Sequence, residues 1–255
     1  MNKGPLISII TPSFNQGKFI EQTILSVLNQ DYDNIEYIIV DGGSTDETVS
    51  ILDKYRSRTD IVIQEKDDGQ ADAINKGFEL ASGELVGWIN SDDLLYPNCI
   101  STIAELFRQN SDGAIYYGSR LDFIDAENRK IKQKIIQINQ IHDLLSNNYN
   151  IIQQGSFYNR LALKEVGFLD AHLHYSMDLD VWLKLLRTGK IYHYDQSPLA
   201  AFRIWEDSKT STGGIKFLRD ISQTLRRHGS KGISRNYCRI GWYMMKEKVK
   251  QAIQR

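Results

Sequence analysis

Apolar and polar positions alternate in blocks along the first ninety residues, and the period of the blocks changes. Leu6 to Ile10 reads as a buried strand, and Phe19 to Leu28 as a helix with Phe19, Ile20, Ile24, Val27 and Leu28 on one face. The same alternation predicts strands at Tyr37–Val40, Ile61–Ile63 and Leu85–Ile89, with helices over about 47–55 and 71–80 between them. Strand–helix alternation of this kind implies right-handed βαβ units, hence a largely parallel sheet flanked by helices. The second half is less regular: a β-rich stretch at 114–137, a helix over Met177 to Leu186, and two helices after Gly214. The four prolines are scattered, and neither a repeat nor a low-complexity linker interrupts the pattern. The expectation is one α/β domain over 1–212 and a helical extension over 213–255.

Composition adds exclusions. At 255 residues, 41% hydrophobic and 25% charged, the chain is neither disordered nor collagen-like and can bury a sizeable core. Its two cysteines, Cys99 and Cys238, cannot build a disulfide framework or a Cys₄ zinc site. The first apolar run, six residues from Leu6 to Thr11, is too short for a signal-peptide core, and no run approaches a membrane span, so a cytoplasmic protein is expected. The net charge of −1 hides an asymmetry: from residue 226 onward there are nine Lys/Arg and one acid, leaving 22 basic and 31 acidic residues before it. The body therefore has no basic field for nucleic acid, whereas the tail can meet an anionic surface.

In an open parallel sheet, ligands bind beyond the carboxyl ends of the strands. Just there the chain places Thr11-Pro-Ser-Phe-Asn15, Asp41-Gly-Gly-Ser-Thr-Asp46, Glu65-Lys-Asp-Asp-Gly-Gln70 and Asn90-Ser-Asp-Asp93. Carboxylates crowded on one rim are costly unless a cation or hydrogen-bonding ligand enters, and paired Asp92-Asp93 can hold a hard cation that also takes phosphate oxygens. A plain turn-capping role for Ser91 or Asp93 is the competing reading. Ser44 with Glu47 fits a capping box, which leaves Asp41 as a free acceptor at a strand end. No Gly-rich dinucleotide or P-loop fingerprint follows the first strand.

Taken in order, Thr11-Pro-Ser-Phe-Asn15, Val40-Asp-Gly-Gly-Ser-Thr-Asp-Glu-Thr48, Gly69-Gln-Ala-Asp-Ala-Ile-Asn-Lys-Gly77 and Trp88-Ile-Asn-Ser-Asp-Asp93 closely resemble glycosyltransferase family 2, inverting enzymes with the nucleotide-sugar-binding GT-A fold. The likeness continues through Gly167-Phe-Leu-Asp170, Tyr175-Ser-Met-Asp-Leu-Asp-Val-Trp182, Phe202-Arg203 and Ser208-Lys-Thr210. It implies a GT-A (Rossmann-like) α/β fold and transfer of a sugar from a nucleotide diphosphate donor, with a UDP-sugar expected, to a saccharide or lipid-linked saccharide of surface polysaccharide. It also implies roles. Thr11 and Asp41 match base- and ribose-binding positions, with Pro12, Asn15, Gly43, Asp67, Gln70, Asn75 and Ser91 on the donor side. Asp92 and Asp93 match the metal and ribose carboxylates for Mn²⁺ or Mg²⁺, and Asp178 matches the catalytic base.

Three departures stand out: Gly42 where many relatives have a second Asp, Met177 where Glu is common, and Trp205 where a histidine is frequent. Residues two apart on a helix do not share a face, so Asp178 and Asp180 cannot form a dyad. Asp180 is expected either to stabilise the helix N-terminus or, with Trp182, to face the acceptor. His172 and His174 lack a third metal ligand and read as loop residues. In the tail, Ile240, Trp242, Tyr243 and Met244 read as one broad apolar side among lysines, suited either to an anionic membrane or to packing on the domain. A non-catalytic nucleotide-sugar-binding or scaffold protein is the rival reading. A sugar-phosphate nucleotidylyltransferase would need a Gly-rich basic loop after the first strand, which is missing.

Overall fold

The computed structural model describes residues 4–206, 208–209 and 213–253. A seven-stranded sheet has the order β10-β6-β9-β4-β1-β2-β3, with β1 (Ile7–Ser13), β2 (Ile35–Asp41), β3 (Ile61–Gln64), β4 (Leu85–Trp88), β6 (Gly113–Gly118), β9 (Ser156–Asn159) and β10 (Lys190–Tyr194). Only β9 runs antiparallel, between β4 and β6. This is the mixed, mostly parallel GT-A sheet. β1 pairs with β2 on one side and β4 on the other, so the chain reverses its direction of travel across the sheet there. Loops leaving β1 and β4 therefore diverge and open a crevice at the carboxyl edge.

The first three helices form where the 3.6-residue stripe predicts them, and the fourth, over 99–109, is not among the expected elements. α1 (Ile20–Leu28) buries Ile20, Thr23, Ile24 and Val27, and α2 (Thr48–Tyr55) buries Leu52 and Tyr55. α3 (Gln70–Leu80) lies close on the sheet because Gly77 has no side chain; a Cβ there would sit 2.6 Å from Ile10 Cγ2. That close approach keeps the start of α3, with Gln70, near the ends of β1 and β4. α4 (Cys99–Gln109) covers the same sheet beside β6 and β10.

A second, four-stranded sheet has the order β5 (Leu94–Leu95), β11 (Ala200–Arg203), β7 (Arg120–Ile124), β8 (Lys130–Ile135). Its edge strand β8 is exposed throughout, and Lys130, Lys132 and Lys134 along it disfavour pairing with another chain. α5 (Arg160–Glu165) and α6 (Met177–Leu185) complete the body.

The predicted tail is two helices, α7 (Gly214–Arg227) and α8 (Arg235–Ile253), and neither stands apart from the body. α7 buries Leu218, Ile221, Thr224 and Leu225. In α8, Asn236 is fully buried; its amide donates to Leu144 O and accepts from Tyr149 N. Ile240 and Met244 pack inward, whereas Trp242, Tyr243, Met245 and Val249 are exposed. The single apolar side expected from the sequence is thus split. One stripe packs on the body, and a separate stripe of Cys238, Trp242, Met245 and Val249 faces outward.

Candidate active site

The loops after β1 and β2 lock to each other. Asn15 adopts a left-handed φ of 50°, donates its N–H to Ser44 Oγ at 2.7 Å, and accepts Thr45 N–H on its side chain at 2.9 Å. Asp41 is buried, and Ser44 donates to it through both N–H (3.0 Å) and Oγ (2.5 Å). The expected Ser44–Glu47 capping box is absent. Glu47 is the residue before α2 and caps nothing, Ser44 is drawn to Asp41, and Asp46 accepts the Thr48 N–H instead. Thr11 is fully buried with its hydroxyl 3.0 Å from Tyr37 OH, and Pro12 is buried beside it. At the end of β1 the Ser13 hydroxyl is buried and finds no partner among the described residues. A buried orphan of this kind at a strand end is a place for a ligand group.

Gly42 has a local cause. A Cβ at this position would overlap Asp67 Oδ2 and lie 2.9 Å from Asp67 Cγ. Asp67, from the next loop, thus fills the space that a side chain at 42 would take. Gly43 (φ 85°) turns the chain out toward α2.

The aspartate pair after β4 divides. Asp93 is fully buried: Oδ1 accepts Arg203 N–H at 2.9 Å, and Oδ2 accepts from Gln154 at 2.8 Å and Asn90 at 3.2 Å. Burial, followed by the charge of Asp92, pushes the Asp93 carboxyl well above the ordinary range. The expected metal role of Asp93 is therefore corrected: it is an enclosed anchor with no face toward the crevice. Asp92 remains partly exposed, and its Oδ2 accepts the Trp205 indole N–H at 2.9 Å. Trp205 thus occupies the place of the frequent histidine and grips the carboxylate rather than adding a ligand. Among the described residues no group of three or more His, Cys, Asp or Glu could hold a metal ion. One hard carboxylate oxygen at the strand-end rim still suits Mg²⁺ or Mn²⁺, which commonly bind through one or two carboxylates plus substrate phosphates. Ser91 is buried at the turn.

Opposite this rim stands the first turn of α6. Asp178 is partly buried; Leu179 donates its N–H to Oδ1 at 2.7 Å, and burial pushes the carboxyl up to about 6 despite nearby Lys209. Lys209 Nζ donates to Gln70 Oε1 at 3.0 Å, and Gln70 Nε2 donates to Asn90 Oδ1 at 2.8 Å, so one polar chain links the base side to the β4 rim. Three expected residues lie elsewhere. Asn75 uses both ends of its amide on the Leu169 backbone and so clasps α3 to the 167–170 loop rather than lining the donor site. Asp180 is buried between His228 (2.7 Å) and Lys184 (2.8 Å), away from any acceptor. Trp182 is fully buried, donating to Tyr158 OH at 3.0 Å. His172 and His174 are exposed loop residues, as expected. Of the Ser208–Thr210 segment, Thr210 lies outside the described residues.

Comparison with known proteins gives the family and the fold. The profile of glycosyl transferase family 2 matches residues 8–167, well over half of the chain. The chain belongs to glycosyl transferase family 2. An uncharacterised glycosyltransferase of Rickettsia typhi is 31% identical over 220 residues, covering 82% of this chain and 67% of that protein. The putative teichuronic acid biosynthesis glycosyltransferase TuaG of Bacillus subtilis is 32% identical over 217 residues, 82% of this chain and 83% of that one. In structure the transferase is similar to TarS of S. aureus in complex with UDP-GlcNAc: TM-score 0.72, 17% identity, 95% of this chain and 71% of that one. It is also similar to the mannosyltransferase PcManGT of Pyrobaculum calidifontis in complex with GDP-Man and Mn²⁺: TM-score 0.68, 14% identity, 99% of this chain and 75% of that one.

The family match ends at residue 167, yet Asp178, Arg203, Trp205 and Lys209 lie after that point. Gln153, Gln154, Arg203 and Lys209 carry polar contacts that sequence reading did not assign. The adjacent Gln153-Gln154 before Gly155 was the available signal, since paired amides ahead of a buried strand need buried partners. Those partners are Trp88 O (2.7 Å) and Asp93.

The two aspartates should separate in a mutant pair. Asp93→Asn turns one acceptor oxygen into a donor facing donors, so stability in urea should fall by about 1–3 kcal/mol. Asp92→Asn should leave the urea midpoint unchanged and remove the Mn²⁺ enhancement of nucleoside diphosphate binding in isothermal titration. Unchanged stability in Asp93→Asn with the Mn²⁺ enhancement lost would reverse the assignment.

Proposed function

We propose that the enzyme is an inverting, metal-assisted glycosyltransferase that moves a sugar from a UDP-sugar to a saccharide or lipid-linked saccharide in surface polysaccharide synthesis. The observation that carries this reading is the polar chain Lys209–Gln70–Asn90, which ties the neighbourhood of Asp178 to the strand-end loops. The similarity to TuaG and to a UDP-GlcNAc-bound TarS supports the donor and polymer class.

In this mechanism the acceptor hydroxyl attacks the anomeric carbon on the face opposite the nucleoside diphosphate. The new glycosidic bond forms as the bond to the diphosphate breaks, and Asp178 takes the hydroxyl proton. Burial raises the carboxyl to about 6, which makes it a stronger base than a solvated aspartate while leaving it ionised at neutral pH. Asp92 would hold a divalent cation, whose contribution is to offset charge on the departing diphosphate. Trp205 fixes the Asp92 carboxylate, Asp41 and Asp67 offer acceptors to base and ribose, and Lys209 brings positive charge to the floor between donor and base.

A donor that binds only the folded enzyme raises its melting temperature by mass action. Thermal-shift screening should therefore give the largest rise with UDP or a UDP-sugar plus Mn²⁺. A larger rise with GDP, or none with any nucleotide sugar, would overturn the donor assignment.

For the base, Asp178→Asn should lower single-turnover transfer about 10²- to 10⁴-fold while donor affinity stays within a few-fold. The wild-type rate should fall about tenfold per pH unit below about pH 5.5, because Asp178, flanked by Lys209 and Asp220, is then protonated. Linkage predicts the opposite trend for stability. A carboxyl whose folded pKa is raised loses stability as pH climbs from about 4 to 6, so Asp178→Asn should exceed wild type in stability at pH 7 and match it below pH 4. Wild-type turnover in Asp178→Asn would reject the base.

No helix among the described residues is long and apolar enough to cross a membrane. The outward stripe of α8 offers a different contact. Trp242, Met245 and Val249 are exposed, Lys246 Nζ lies 3.6 Å from the Trp242 ring centroid, and Arg235, Arg239 and Trp242 line a hollow of about 580 Å³ with Ile233. Apolar side chains flanked by bases suit the surface of an anionic bilayer. Trp242→Ser with Met245→Ser should weaken sedimentation with phosphatidylglycerol vesicles without changing the melting temperature, and added salt should weaken the wild type. Equal sedimentation of variant and wild type would exclude this surface.

A further inference from the structure

Helix α6 carries the base in its first turn but does not cap itself. Its N-cap residue, Ser176, makes no capping bond, and its hydroxyl instead lies 2.8 Å from Thr224 Oγ1. The N–H groups of Tyr175 and Ser176, which open the helix, both point at one oxygen of Asp220 on α7, at 2.7 and 3.1 Å. At the other end of the same stripe, His228 Nε2 lies 2.7 Å from Asp180 Oδ1. Asp220, Thr224 and His228 are four residues apart and so share one face of the helical segment. Together they hold α6 at Tyr175, Ser176 and Asp180, and Asp178 lies between the held points.

We propose that Asp220 is a positioning residue for transfer: its carboxylate holds the two N–H groups just ahead of α6 and fixes where the helix begins, so that the Asp178 carboxylate meets the acceptor hydroxyl. Thr224 and His228 extend the same clamp along α7. This inference rests on Asp178 being the base. The physical ground is geometric. The backbone ahead of a helix sets where its first turn begins, and a displacement of about 1 Å in a catalytic group can cost on the order of 10²-fold in rate. The clamp is separable from the docking of α7, because Leu218, Ile221 and Leu225 bury the apolar stripe of that helix independently of Asp220.

The test uses the full chain with Asp220→Ala, Asp220→Asn and Thr224→Val. Asparagine keeps an acceptor oxygen for the two N–H groups and alanine keeps none. Asp220→Ala should lower saturated single-turnover transfer about 10- to 100-fold, with donor affinity within threefold of wild type. Asp220→Asn should stay within about threefold of wild type. By amide hydrogen exchange, Tyr175 and Ser176 should exchange at least tenfold faster in Asp220→Ala, while the amides of Leu183 to Leu185 stay protected. Thr224→Val, which retains volume and loses the Ser176 contact, should lower transfer three- to tenfold and serves if the alanine variant does not fold. Wild-type transfer in Asp220→Ala, or in Thr224→Val where the alanine variant fails to fold, would overturn the proposal. So would loss of donor affinity together with protection throughout α6, since that marks a purely structural residue. Asp178→Asn, run in parallel, reports on the base itself: if it transfers normally the base reading fails, whereas the exchange at Tyr175 and Ser176 still reads the contact to Asp220.

Discussion

The crevice depends on one buried arginine. Arg203 ends β11 fully enclosed, and its guanidinium donates to Asp92 O (2.7 Å), Asp125 O (3.0 Å), Asn128 Oδ1 (2.7 Å) and Gln22 Oε1 (3.0 Å), over the ring of Phe19. Its backbone N–H adds the bond to Asp93. A buried guanidinium is tolerable only when its donors are met, because an unpaired charge in the interior costs several kcal/mol. Meeting them draws the second sheet, the β7–β8 turn, α1 and the β4 loop to one point. Asp92 is presented to the crevice because its own carbonyl is held from behind.

The same economy explains the two aspartate pairs. In Asp92-Asp93 and in Asp178-x-Asp180, one carboxylate reaches the crevice and the other is enclosed by donors. Asp93 faces Arg203, Gln154 and Asn90. Burial pushes Asp180 up, but His228 and Lys184 outweigh that and hold it below the usual carboxylate range. Each enclosed acid thus fixes the backbone from which its neighbour projects. Like charges crowded on one rim repel one another; this division withdraws Asp93 and Asp180 from it, and Lys209, beside Asp178, donates to Gln70.

Much of this was legible in the sequence, for physical reasons. Buried parallel strands must be apolar, so β1, β2, β3 and β4 declared themselves, and polar residues at their ends had to mark the rim. The division within each acidic pair was not legible, because it depends on partners far along the chain, such as Gln154, 61 residues from Asp93, and His228, 48 residues from Asp180. Asn75 and Trp182 sit within runs that resemble the family, yet their side chains are held by Leu169 and Tyr158, which the sequence does not place beside them. Gly42 could be noticed as a departure, but only the closeness of Asp67 gives it a reason.

The tail shows how composition can mislead about architecture. Its excess of bases, nine against one acid from residue 226 onward, set it apart from the acidic body. Charge describes the exposed face of a helix, however, and packing is decided by the buried one. On α7 that face carries Leu218, Ile221, Thr224 and Leu225, and on α8 Asn236 and Ile240. A helix can therefore be basic toward solvent and still belong to the core. Because α7 meets α6 at its first turn, the segment that looks most dispensable by charge touches the backbone from which Asp178 rises.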